Sequence, residues 1–169
     1  MSNYTVKANI DTFMRSADYD AAVALLGLTP EYGSIYVADN VTAQSIAAGA
    51  TPTKLTSFAT DGLDTGTIAN AASNQLDLTA GVWEINLAMS FSGDANVEYD
   101  GSIYLDEVLQ PSGQFGRKLS TGGDLGTTCC TCLLTATAGQ AVSVRMRTDD
   151  AGAVDLVALD MNLTAKKLA

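Results

Sequence analysis

Histidine is absent from the 169 residues of this sequence. Without an imidazole, neither a Ser-His-Asp nor a Cys-His catalytic arrangement can be built, and most zinc sites lose their commonest neutral ligand. Basic side chains are scarce as well: 9 Lys and Arg stand against 19 Asp and Glu, a formal net charge of −10. Positive charge never accumulates beyond a pair such as Lys166-Lys167, so a phosphate backbone would be repelled and no nucleic acid partner is expected. No apolar run approaches the ~20 residues that cross a bilayer, so no membrane partner is expected. Met1-Ser2-Asn3-Tyr4 carries no basic stretch and leads into no apolar core, which argues against a secretory signal. Cysteine is confined to Cys129, Cys130 and Cys132, too close together and odd in number for a disulfide framework. These features suit a protein made in a reducing cytoplasm. Charged residues make up 17 % against 47 % apolar, a balance that fits one compact domain and not a disordered acidic tail.

Phosphate loops of the Gly-x-x-x-x-Gly-Lys-Ser/Thr type are also missing. Gly122-Gly123-Asp124-Leu125-Gly126 reads as a flexible turn, and no cofactor is expected. Asp64-Thr65-Gly66 has the tripeptide of aspartic proteases, in which two aspartates share one proton. Here it lies in a Gly- and Asp-rich stretch, between Asp61-Gly62-Leu63 and Thr67-Ile68-Ala69-Asn70, where a turn with Asp bonded to its own backbone is the expected structure. Asp149, Asp150 and Asp155, or Asp61 and Asp64, offer loop oxygens but match no calcium-loop spacing, so no metal is expected. On a strand, Cys130 and Cys132 share one face with Leu134 while Cys129 points the other way, which favours core packing over metal binding or an intersubunit disulfide. Glycan recognition would draw on exposed aromatics among Tyr4, Tyr32, Tyr36, Tyr99 and Tyr104. No catalytic residues emerge.

What the sequence does contain falls into two parts, 1–30 and 31–169, with residues 28–33 as the link. In the first, Asp18 can cap a helix carrying Ala21, Ala22, Val23, Leu25 and Leu26, which Gly27 ends with Pro30 beyond it. About nine residues of helix are too few to stand alone in water and must dock. Ile10, Phe13 and Met14 form a second apolar cluster before it. From Glu31 the period becomes two. Trp83, Ile85, Leu87, Met89 and Phe91 alternate with Glu84, Asn86, Ala88 and Ser90, which predicts a strand with one face in a core. Val142, Val144 and Met146 alternate with Ser143, Arg145 and Arg147, and Val157, Leu159, Met161 and Leu163 with Ala158, Asp160 and Asn162. Weaker strands are predicted at 34–38, 54–58, 75–78, 101–109 and 128–136. Turns are expected at Asp61-Gly62, Ala80-Gly81, Ser92-Gly93-Asp94, Pro111-Ser112-Gly113, Ala138-Gly139 and Asp149-Asp150-Ala151-Gly152. About eight short strands with no helical period between them predict an all-β antiparallel sandwich or barrel.

Two stretches resemble known families. Residues 11–17 (Asp-Thr-Phe-Met-Arg-Ser-Ala) continuing to Leu25-Leu26-Gly27-Leu28 resemble an element of phage tail-fibre, head-fibre and decoration proteins. There a Phe-Leu-x-x-Ala stretch precedes an Ala-rich turn ending Leu-Gly-Leu; Met14 replaces the commoner Leu. The remainder resembles the tumour-necrosis-factor/C1q-like trimeric jelly roll. Gly81-Val82-Trp83-Glu84-Ile85 matches that family's Gly-x-Tyr-x-(Val/Ile) strand with Trp83 for Tyr. Residues 137–144, Thr-Ala-Gly-Gln-Ala-Val-Ser-Val, match its Ala-Gly-Asp-x-Val stretch with Gln140 for Asp. Residues 162–168 resemble the last strand, which runs up the three-fold axis.

The resemblance implies a jelly-roll β-sandwich behind a short N-terminal arm and helix, and a homotrimer with Trp83, Tyr104, Leu159 and Leu163 at its core. It further implies a non-enzymatic virion protein, made in the host bacterial cytoplasm. The leading expectation is a capsid decoration (cement) protein on the capsid surface, attached to the phage major capsid protein through Phe13, Met14, Leu25, Leu26 and Leu28. The absence of repeats or a coiled coil, which a reaching fibre needs, supports that choice. The alternative is a receptor-binding or baseplate/tail-fibre tip that joins a tail protein and recognises a host glycan. A hydrolase with paired carboxylates is a third class, but no pair stands out.

Overall fold

The computed structural model describes residues 30–49, 51–66, 68–120 and 124–168, so the arm and helix expected over 1–30 lie outside the described residues except for Pro30. From there the chain forms β1 (Tyr32–Val37), β2 (Gln44–Ile46), β3 (Thr53–Lys54), β4 (Thr60–Thr65), β5 (Ala69–Asn70), a 3-10 turn (Ala71–Ser73), β6 (Gln75–Leu78), β7 (Gly81–Gly93), β8 (Glu98–Leu105), β9 (Val108–Lys118), β10 (Gly126–Ala136), β11 (Gln140–Thr148) and β12 (Val154–Lys167). The first sheet has the order β10-β7-β12-β1-β4 with β2 added beside β12, and the second has β5-β6-β11-β8-β9 with β3 added beside β11. The pairings between these strands are antiparallel. Apart from the β1–β2, β5–β6 and β8–β9 connections, each link carries the chain from one sheet to the other. That alternation produces the jelly roll.

The core lies between the sheets, where strand alternation sends it. Trp83, Ile85, Leu87, Met89 and Phe91 of β7 are all buried, facing Val142, Val144 and Met146 of β11 and Tyr99 and Ile103 of β8. Each large side chain so removed from water contributes about 1.5–3 kcal/mol. Phe91 and Tyr99 meet edge to face, with ring centroids 5.6 Å apart at 71°. The buried Tyr99 hydroxyl is satisfied on both sides: it donates to the Asp155 carbonyl at 2.9 Å and accepts from the Asp94 N–H at 2.9 Å. Burial pushes its pKa up.

Unbroken alternation fails in β12. Ala158 pairs with Phe91 and Asp160 with Ser90, leaving Leu159 as an extra residue in a bulge. The bulge changes the parity. Leu156 and Ala158 face the core before it, Met161, Leu163 and Ala165 after it, while Val157 and Leu159 are only half-buried. The chain leaving β1 caps the bulge. Asn40 donates its N–H to the Leu159 carbonyl (3.0 Å) and its side-chain amide to that of Ala158 (2.9 Å). The Asp160 carboxylate accepts from the Asp39 N–H (3.2 Å) and the Ser90 hydroxyl (3.1 Å).

Other expectations are corrected at the sheet edges. The strand predicted over 101–109 is two strands, β8 and β9, joined at Asp106-Glu107, with Asp106 in the left-handed region at φ 51°. Pro111-Ser112-Gly113, expected as a turn, lies inside β9. As the outermost strand of its sheet, β9 can hold a residue with no N–H to donate. Residues 110–113 fall where the register slips between Ser102↔Gln114 and Tyr104↔Leu109. Asp61-Gly62 is likewise part of β4, paired with β1, and of residues 54–58 only Lys54 is in a strand, although Leu55 and Phe58 are buried. Gly101 is among the positions where a side chain has no room: a Cβ there would meet the Phe115 ring at 2.0 Å.

Where the sandwich begins and ends, a clasp joins Glu31 to β12. Lys167 donates its Nζ to Glu31 Oε1 (2.6 Å) and to the Thr79 hydroxyl (3.0 Å), the Lys167 N–H bonds the Glu31 carbonyl (2.9 Å), and the Thr79 hydroxyl donates to Glu31 Oε2. The bond from Lys167, then that from Thr79, holds the Glu31 carboxyl below its ordinary range. A depressed carboxyl stabilises the fold above its unfolded pKa, and that contribution is lost as pH falls through the folded value. Glu31→Gln is therefore expected to cost about 0.5–1 kcal/mol at pH 7, read as a lowered melting temperature. The deficit should shrink toward zero as the pH drops below about 4. A deficit of equal size in acid would show that the clasp's contribution is not ionic.

Candidate functional site

The sequence candidates do not converge on one place. Phe13, Met14, Leu25, Leu26 and Leu28 lie outside the described residues. Trp83 and Leu163, expected at a trimer core, are 0 % exposed inside the sandwich of a single chain and have no surface to offer a second copy. Tyr104 is half-buried on the outward face of the second sheet, and Leu159 occupies the bulge of the first. What the structure offers instead is two outward faces of unlike chemistry.

The outward face of the first sheet reads in rungs across four strands. Cys129, Ala88, Asn162 and Tyr36 form one, Thr131, Asn86, Thr164 and Ser34 the next, and Leu133, Glu84, Lys166 and Tyr32 a third. Side chains here are mostly short and uncharged, and the one opposed pair, Glu84 and Lys166, neutralises itself. Around Ala88 the short side chains leave a shallow trough of about 460 Å³, bounded by Tyr36, Thr127, Asp160 and Asn162. Leu133 of this face is 60 % exposed.

The outward face of the second sheet carries charge. Lys54, Arg145, Ser102 and Gln114 lie on one rung, with Arg147 and Asp100 on a neighbouring one. Of these, Asp100, Ser102, Gln114, Arg145 and Arg147 line a cleft of about 420 Å³ together with Tyr104, Leu109, Phe115 and Pro52. The Arg145 guanidinium lies 4.8 Å from the centroid of the Tyr104 ring, a cation–π stack that fixes its plane. Its Nη2 donates to Glu107 Oε1 at 2.6 Å, and its buried Nε has no acceptor among the described residues. That bond is the main cause holding the Glu107 carboxyl low, although Glu107 is 82 % exposed. Arg147 reaches Asp100 at 3.3 Å, both ends well exposed. Burial, then the charge of Arg145, lowers the pKa of Lys54, which donates to Gln75 Oε1 at 2.9 Å.

The decoys have structural uses. Asp64 Oδ1 accepts from the N–H groups of Ile68 (2.8 Å) and Ala69 (3.2 Å), and Asp61 Oδ1 from that of Ala71 (2.6 Å), so both carboxylates tie the edge strand β4 to the second sheet. Asp149 accepts from the Glu98 N–H (2.8 Å) and Asp150 from the Gly152 N–H (3.1 Å). Among the described residues no group of three or more Cys, Asp or Glu is gathered as metal ligands. Cys132 is buried beside Leu134, Cys130 is half-buried on the same side and Cys129 is exposed on the other, as strand parity predicts. Burial pushes the Cys130 thiol up to about 11, which keeps it protonated and unreactive at neutral pH.

The sequence matches no protein-family model and no curated protein. Solved structures do match. The globular domain of zebrafish complement 1qA protein is 12 % identical over 82 % of this chain and 98 % of that one, with a TM-score of 0.55. Murine APRIL at pH 5.0 is 12 % identical over 82 % and 100 %, with a TM-score of 0.54. The Eiger TNF from S. frugiperda is 10 % identical over 82 % and 94 %, with a TM-score of 0.53. At such identities the likeness speaks for the fold alone, and on that point it agrees with the strand order: the sandwich is an antiparallel jelly roll of the tumour-necrosis-factor/C1q type.

Proposed function

We propose that this chain is a non-enzymatic structural protein of a bacteriophage particle, a homotrimer that decorates the capsid and binds the major capsid protein through its N-terminal segment. The observation that carries the assembly is the outward face of the first sheet, with its short uncharged side chains, trough at Ala88 and exposed Leu133. Such a face, four strands wide, is suited to close contact with a second copy. In a trimer the contact is heterologous, one part of this face meeting a different part of the next copy, and it closes as a ring. Three copies then present three N-terminal segments to the shell, and each arm that binds raises the local concentration of the others.

Attachment is assigned to Phe13, Met14, Leu25, Leu26 and Leu28 on the resemblance of their stretch to phage decoration and fibre proteins. Deleting residues 1–30 is expected to leave a folded trimer that no longer sediments with undecorated capsid shells, whereas the full chain does. Shells still decorated at full occupancy by the truncated chain would refute the assignment. Sedimentation of the full chain with host cells and not with shells would instead move the protein to the tail tip, with a tail protein and a host glycan as partners.

A further inference from the structure

The assembly uses the first sheet and leaves the charged cleft of the second without a role. We propose that this cleft binds a carboxylate-bearing saccharide, whose acid group is held by Arg145 and Arg147 and whose hydroxyls meet Asp100, Ser102 and Gln114. Three of the nine basic residues of an acidic chain, Lys54, Arg145 and Arg147, are gathered on adjacent rungs of this face. Arg145 and Arg147 line the cleft itself, each paired with a carboxylate, Glu107 and Asp100, that an incoming anion would exchange for its own.

The Arg145 guanidinium is oriented by its stack on Tyr104 but only half used. Of the fork formed by Nε and Nη2, Nη2 bonds Glu107 and Nε bonds nothing among the described residues. Glu107 stands on the exposed Asp106-Glu107 turn, so a carboxylate of the chain itself already marks what this guanidinium accepts. A ligand carboxylate that displaces it takes over the charge-assisted bond from Nη2. The exposed Arg147–Asp100 pair is weak, and on opening it supplies a second cation beside an acceptor for a hydroxyl. The polar lining faces an apolar side formed by Leu109, Pro52 and Phe115. That mixture suits a ring bearing many hydroxyls better than an apolar ligand. The cleft is on the opposite sheet from the face assigned to subunit contact, so this inference does not rest on the trimer.

The test uses the full chain in calorimetric titration against N-acetylneuraminic acid and trigalacturonate, with maltotriose as the neutral control and inorganic sulfate as the simple anion. Both acidic sugars, or one of them, should bind at least about tenfold more tightly than maltotriose and than sulfate. Binding should weaken with added salt. Arg147→Gln should weaken it at least about tenfold with the melting temperature unchanged. Glu107→Gln, which removes the internal competitor, should leave binding as strong or stronger. No acidic sugar bound at about 10 mM, equal binding of maltotriose or sulfate, or indifference to Arg147→Gln would each overturn the proposal.

Discussion

Trp83→Ala is expected to remove about 3–5 kcal/mol from the stability of the domain and to lower its melting temperature sharply. Trp83 is fully buried on β7, paired with Leu134 on the edge strand β10 and Lys167 on β12, so three strands of the first sheet meet at this position. Its indole N–H donates to the Thr79 carbonyl at 3.0 Å, and the Lys167 ammonium lies 5.8 Å from its ring centroid. Truncation to alanine removes the largest apolar side chain of the core and opens a cavity that flanking strands cannot collapse into, a loss of about 3–5 kcal/mol. A domain of this size has only about 5–15 kcal/mol in total. Trp83→Phe should be intermediate, since it keeps an apolar ring and gives up the bond to Thr79. Urea titration followed by circular dichroism measures both. A Trp83→Ala chain within about 1 kcal/mol of the parent would contradict the burial of this ring.

Ala88→Arg should have an equally large effect on assembly and almost none on the fold. Ala88 is exposed in the isolated chain, on the rung between Cys129 and Asn162, and the trough opens around it. A single chain can carry an arginine there with its guanidinium in water. In the proposed trimer the same group would be trapped against a second copy with no partner, and a buried unpaired charge costs several kcal/mol. Sedimentation equilibrium should change from three times 17.5 kDa to 17.5 kDa, with an unaltered melting profile for the monomer. Leu109→Arg, on the opposite sheet, should leave the trimer intact. Survival of the trimer in Ala88→Arg would place the subunit contact elsewhere, with the 80 % exposed Leu63 on β4 as the next position to alter.

How much of this was legible in the sequence depended on whether local pattern or tertiary partners decide each element. β7 and β11 could be read directly because nothing interrupts their alternation. β12 was readable only after its bulge: the parity change at Leu159 answers to Asn40, more than a hundred residues earlier, and leaves no local trace. β4 was hidden because Asp61, Gly62 and Asp64 have turn composition, yet their carboxylates serve the backbone of Ile68, Ala69 and Ala71. β9 was hidden by Pro111 and Gly113, tolerated because that strand is outermost. The outward direction of Arg145 and Arg147 followed from alternation. Nothing in the local pattern brings Asp100, Tyr104 and Gln114 beside them, since register between distant strands makes that cleft. The same holds for Trp83 and Leu163: their apolar character was plain, but which apolar surface they join depends on the closed sandwich.

The place of β12 in the first sheet sets the timetable of folding. It lies between β7 and β1, yet it follows both in the chain. While the ribosome is still translating residues 154–167, β1 and β7 have no partner to join them, and their apolar faces stay open to chaperones and to other nascent chains. A chain that stops before residue 154 lacks not an edge but the middle of a sheet. Without that strand the pair β10-β7 has nothing to join it to the pair β1-β4, and the first sheet cannot form as one layer.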